Sequence, residues 1–167
     1  MTYNIHPLFV HFPIALLFVY SIIKILPMTR WFPRVAWRDI ERALLVVGVL
    51  GAFAASTTGE MAEELVRPDH ALVEMHSLFA GISTWLYGAL LVGELAAWLR
   101  NRFQNMPKAL AQITLVLDKV LCNPAFSRII ALAAIIAISV TGLLGGVMVY
   151  GTSADPVAGF VLKILGL

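Results

Sequence analysis

Four stretches of the chain stay apolar for long enough to cross a bilayer, and the polar residues gather between them. The stretches run from about Pro7 to Leu26, Ala43 to Thr58, Ala71 to Leu99 and Ile129 to Tyr150. A hydrocarbon core of about 30 Å takes roughly 20 helical residues. Backbone groups in lipid must bond within the protein, which leaves helices or a closed barrel. Barrel strands alternate apolar and polar positions, and these runs do not. The pattern predicts an all-α fold: a single integral membrane domain over residues 1–167, built as a four-transmembrane-helix bundle.

Two shorter segments read as surface elements. Lys108 to Leu121 is amphipathic and lies between Pro107 and Pro124, which predicts an interfacial helix on the cytoplasmic side. Pro156 to Leu167 is apolar but too short to span, so it is expected at the outer interface or docked on a partner. No internal repeat and no low-complexity tract is evident.

Composition agrees with lipid as the solvent. Apolar residues make up 60% of the chain and charged residues 13%, against roughly 45–50% and about 25% in soluble domains. A net charge of +2, with basic residues confined to the connections, does not point to nucleic acid. The single cysteine, Cys122, excludes an intrachain disulfide and a cysteine metal cluster. The first residues lack a basic region and a small-residue cleavage pattern, so the first helix is expected to be retained rather than cleaved as a signal.

Charge also predicts orientation. Arg30, Arg34, Arg38 and Arg42 follow the first stretch, and Arg100, Arg102, Lys108, Lys119 and Arg128 follow the third. The other side has Arg67 and Lys163 but the acids Glu60, Glu63, Glu64, Asp69, Glu74 and Asp155. The positive-inside rule then puts both termini outside, periplasmic if the membrane is a bacterial inner membrane. Trp31, Trp37 and Trp98 fall near the basic boundary, where an aromatic belt is expected.

The candidate chemistry is in four histidines. His6 and His11 open the first apolar stretch, and His70 and His76 open the third. All four are expected near the outer leaflet, and ionisable groups at membrane depth usually have a role. His6 and His11 are separated by about 140° around a helix, and His70 and His76 by about 240°. Neither pair can chelate one ion from one helical face, so ligation across helices is expected. Neutral imidazoles from two helices hold b-type haem iron. Two arrangements fit: an inner His11–His76 site with an outer His6–His70 site, or one haem with His6 or His70 on its propionates. Arg67 and Tyr150 are candidate propionate partners. Gly81, Gly142, Gly145 and Gly146 could admit a flat macrocycle, although plain helix packing uses glycine in the same way.

Other readings use the same residues. The histidines could be structural, bonding to Thr57, Thr58 or Glu74. With the nearby acids they could hold a bare metal ion, but Glu74-x-His76 lacks the Glu-x-x-His spacing of di-iron bundles. Glu94, deep in the third stretch, could snorkel toward Arg100, pair with Lys24 or transfer protons. Hydrolase and nucleotide motifs are absent, which argues against an autonomous enzyme.

The opening His6-Pro7-Leu8-Phe9-Val10-His11-Phe12-Pro13-Ile14-Ala15-Leu16 resembles the start of the bacterial domain-of-unknown-function family twenty-two thirty-one, predicted four-helix membrane proteins. Thr58-Gly59, His76 and Gly145-Gly146-Val147-Met148-Val149-Tyr150-Gly151 are similar too. The tail Thr152-Ser153-Ala154-Asp155 departs from the Gly-x-Gly-Val ending of that family. Members often occur beside, or fused to, cytochrome-like proteins, and the resemblance therefore implies redox work. The expectation is a b-type cytochrome with one or two haems b, held by His11 and His76 first and by His6 and His70 second. It would exchange electrons with a quinone or a redox partner protein, as part of a homo- or hetero-oligomeric complex. The rivals are a cofactor-free structural subunit and a metal-handling or transport protein.

Overall fold

The computed structural model describes residues 6–66, 69–103 and 105–167. They form seven α-helices and a short 3-10 turn, Thr152–Ala154, with no strand among the described residues. In chain order the helices are α1 (His6–Ile25), α2 (Met28–Trp31), α3 (Trp37–Val66), α4 (His70–Arg102), α5 (Lys108–Leu121), α6 (Pro124–Tyr150) and α7 (Ala158–Leu165). Three of them are long and apolar enough to cross a membrane: α3 over Trp37–Gly59, α4 and α6. The apolar part of α1, Phe9–Ile25, is shorter.

Helices and apolar stretches do not share boundaries, because hydropathy marks what lipid accepts and backbone bonding continues into water. α3 extends past both ends of its apolar stretch, through Arg38, Asp39 and Glu41 on one side and Glu60 to Glu64 on the other. α6 starts at Pro124, ahead of the apolar run, because the Asn123 side chain accepts from the Ala125 and Phe126 N–H groups. Proline at the first helical position has no N–H left to satisfy. Asp69 caps α4 in the same way, accepting from Ala71 and Leu72.

The four long helices close a bundle. α1 packs on α3 and α6, and α4 packs on α6 and α3. α1 and α4 are therefore diagonal and parallel, each flanked by antiparallel neighbours. The interior is lined by many small side chains, including Ser127, Ala131, Ala134, Ala137 and Thr141 on α6. Large apolar residues such as Leu50, Trp85, Ile129 and Val149 face outward. This arrangement suits lipid, where close backbone approach replaces the hydrophobic effect as the reason to pack. On α3, Gly48 and Gly51 let Leu17 and Pro13 of α1 come close: a Cβ would meet Leu17 at 2.6 Å and Pro13 at 3.0 Å.

Polar contacts hold the basic end. Glu94 of α4 is buried, with Arg42 of α3 at 3.0 Å and Lys24 of α1 at 3.9 Å. Lys24 also donates to Glu41 at 3.0 Å. Glu94 thus takes the Lys24 pairing that the sequence allowed, while Arg100 turns to Asp118 and clasps α4 to α5. Further inward, about one turn from Lys24 on α1 and two from Glu94 on α4, Ser21 and Tyr87 share a hydrogen bond of 2.7 Å, and the Tyr20 and Tyr87 rings meet edge to face at 6.1 Å. At the other end α7 covers α6 of its own chain, through Ala158 and Leu162 against Leu144 and Val147.

Two stability predictions follow from the tyrosine pair. The buried Tyr20 hydroxyl has no hydrogen-bond partner among the described residues, a state that costs about 1–3 kcal/mol. Tyr20→Phe should raise the thermal midpoint in detergent, by the equivalent of about 1 kcal/mol. Tyr87→Phe should lower it by a similar amount, because the Ser21 hydroxyl loses its partner. The same end offers a pH test. Burial first, and then the Glu94 and Asp118 carboxylates, push the Cys122 thiol up to about 11. Only the thiolate reacts, so maleimide labelling of Cys122 should be slow at pH 8 and still accelerating at pH 10. A rate that levels off near pH 9 would contradict this.

Candidate functional site at the histidine end

The buried face of α1 recurs in heptad steps: Pro13, Leu17, Tyr20 and then Lys24. His6 is seven residues before Pro13, which returns it to within about 20° of that face. His11 is about 160° from it. α4 follows the same rule. Ser83, Tyr87, Leu90 and Glu94 line its buried face, and His76 is seven residues before Ser83. The structure accordingly turns His6 and His76 inward, half-buried, and leaves His11 and His70 exposed.

The two inward rings lie the same number of residues from the basic end of their helices. Lys24 and Glu94 meet at the basic end, and each lies eighteen positions beyond its own histidine. Both imidazoles are therefore about 27 Å from that ion pair along their helices. They are near enough for charge on one to act on the other.

Each ring is oriented by the neighbouring antiparallel helix. His76 Nδ1 is 3.0 Å from the Thr141 carbonyl of α6. A carbonyl only accepts, so Nδ1 carries the proton and the neutral ring has its lone pair on Nε2. His6 Nδ1 is 3.0 Å from the Thr58 hydroxyl of α3. Thr58 donates its own proton back into its helix, to the Ala54 and Ala55 carbonyls. Its oxygen is then placed to accept from His6 Nδ1, and the backbone of Ala55 also bonds to this ring. A glycine lies against each ring: a Cβ on Gly59 would meet His6 Cε1 at 3.3 Å, and one on Gly145 would meet His76 Cε1 at 3.3 Å.

The two helix pairs are thus alike in this respect, although no repeat is evident in the sequence. α1–α3 and α4–α6 each bring an inward histidine, a threonine oxygen on Nδ1 and a glycine beside the ring. The oxygen is a hydroxyl in one pair and a backbone carbonyl in the other.

The remaining candidates are spread out. His70 is the first residue of α4, and Tyr150 is 74% exposed at the end of α6. Arg67 lies outside the described residues. Of the glycines expected to make room, Gly145 touches a candidate ligand, while Gly81, Gly142 and Gly146 face open space. The Glu60, Glu63 and Glu64 side chains also lie outside the description. Among the described residues no group of three or more His, Cys, Asp or Glu side chains is placed to hold a metal ion. What the described geometry can supply is two neutral imidazole donors from diagonal helices.

Sequence reasoning named Thr58 as an alternative partner and Thr58-Gly59 as part of the family resemblance, and did not name Thr141. The readable signal was heptad phase. Counting back from the buried stripes selects His6 and His76, whereas counting depth from the helix starts selects His11 and His76.

The tautomer can be checked by 15N NMR of histidine-labelled protein at neutral pH. His76 should show a protonated Nδ1 and an unprotonated Nε2. Thr141→Val should leave that state intact, because the bonded oxygen is in the backbone. Thr58→Val should disturb His6 alone. A proton on Nε2 of His76 would overturn the assignment.

A family model described as a predicted membrane protein, DUF2231, matches residues 2–155. No curated protein and no solved structure matches the chain.

Proposed function

The chain belongs to the DUF2231 family of predicted membrane proteins, and on that premise we propose that it is a b-type cytochrome subunit with His6 and His76 as the axial ligands of one haem. The observation that carries the reading is the pair of inward imidazoles toward one end of the bundle, each with Nδ1 engaged by a neighbouring helix. Metal-binding histidines usually donate their other ring nitrogen in this way, which fixes the tautomer and raises basicity at the ligating atom. The Thr141 carbonyl is such a partner for His76, and the Thr58 hydroxyl is placed to be one for His6. Gly59 and Gly145 keep side-chain bulk away from the rings.

In this reading all four long helices span the membrane. The basic end is cytoplasmic, and both termini are on the periplasmic side of a bacterial inner membrane. A bound haem supplies one-electron transfer. Held by His6 and His76, such a group would suit carriage of electrons rather than catalysis. The histidine end then faces a periplasmic redox protein or the quinone of the outer leaflet. His11 and His70, both exposed, are outside the ligand set.

The test is an absorption spectrum of protein purified in mild detergent from haem-replete cells, with single histidine variants. Wild type should show a low-spin Soret band that shifts on dithionite reduction. His6→Ala and His76→Ala should each lose at least 80% of the haem, and His11→Ala and His70→Ala should keep it. A wild-type protein without a Soret band would overturn the haem reading. Loss in His11→Ala with retention in His6→Ala would restore the alternative ligand pair.

A further inference from the structure

At the opposite end from the histidines, a cleft of about 150 Å³ opens beside the end of α1. Its walls include Lys24 and Leu26 of α1, Thr29 of α2, Glu41 of α3, and Ser127 and Arg128 of α6. It is far too small for a porphyrin and shares no residue with the histidine pair. We propose that this cleft binds the phosphodiester of an anionic phospholipid.

Charge selects the ligand class. Lys24 and Glu41 line the same wall and neutralise each other at 3.0 Å. Arg128 is exposed and has no carboxylate partner among the described residues. The lining therefore has one cation in excess, and a guanidinium suits paired phosphate oxygens. Thr29 adds an exposed hydroxyl that can donate to the same group. With Glu41 held by Lys24, the lining keeps a single excess positive charge, which matches a singly charged phosphodiester better than a phosphate dianion.

Position selects the source. The cleft sits where α1 ends and α6 begins, at the boundary between apolar helix and basic connection. Leu26 is 39% exposed at its rim, and Phe126 and Ile129, on either side of Ser127 and Arg128, are exposed as well. An acyl chain leaving the cleft would meet apolar surface, whereas a free anion would gain nothing from it. Arg30 and Arg34, exposed on the adjoining connection, raise the local concentration of anionic headgroups without lining the cleft.

Native mass spectrometry of the full chain tests this, with phosphatidylglycerol, phosphatidylcholine or inorganic phosphate added to delipidated protein in neutral detergent. Phosphatidylglycerol should be retained one per chain, at least fivefold above phosphatidylcholine, and inorganic phosphate should not compete at tenfold excess. Arg128→Gln should reduce retention about tenfold and Thr29→Val about threefold, while Arg34→Gln should leave it unchanged. Wild-type retention in both Arg128→Gln and Thr29→Val would overturn the site. Equal loss in Arg34→Gln would reduce it to diffuse surface attraction and overturn it too. Competition by inorganic phosphate would overturn the lipid as the ligand. None of these outcomes depends on whether the histidine end takes up haem.

Discussion

The pairing of Lys24 with Glu94 sets the axial register of the bundle, and the rest of the architecture is measured from it. Two charges at the end of an apolar bundle are costly to bury apart and tolerable together. Arg42 and Glu41 complete the cluster and draw α3 into it. Once α1 and α4 meet there, their buried faces come together. Ser21 meets Tyr87, and the two inward histidines lie toward the other end. Sliding α4 by one turn would separate the ion pair, break the tyrosine bond and shift one imidazole against the other by about 5.4 Å.

Lipid explains why small interior residues can support this register. In water a bundle packs by burying large apolar side chains. Here many of those side chains face outward, and small residues such as Ser127, Ala131, Ala134 and Thr141 share the interior with Leu17, Tyr20, Leu45 and Tyr87. The backbones come close enough for a carbonyl such as that of Thr141 to reach a neighbouring helix's side chain. Gly145 lies one turn along on the same face, so the ring it adjoins is the ring Thr141 orients. Packing and orientation of the imidazole thus come from one stripe of α6.

The two ends of the bundle show different chemistry. The basic end is crowded with paired charges, and its one unpaired cation in the cleft suits an anion of the headgroup region. The histidine end presents two inward imidazoles, each bonded to a neighbouring helix.

The sequence by itself determined that the chain is a membrane protein, that it is all-helical, and roughly where its long helices and α5 lie. Those properties follow from local composition and periodicity, which each segment carries alone. It also determined that the histidines would be near one end, because both pairs open helices that run the same way. Which histidines face inward was legible in principle, from the heptad phase of Pro13 with Leu17 and of Ser83 with Tyr87. The partners were not. That His6 would meet Thr58, His76 the Thr141 carbonyl, and Glu94 both Lys24 and Arg42 depends on how four helices are arranged and slid against one another. Only tertiary packing decides that, because contacts between residues 50 to 70 positions apart depend on the shapes of several helices at once and leave no mark in the local pattern of any one of them.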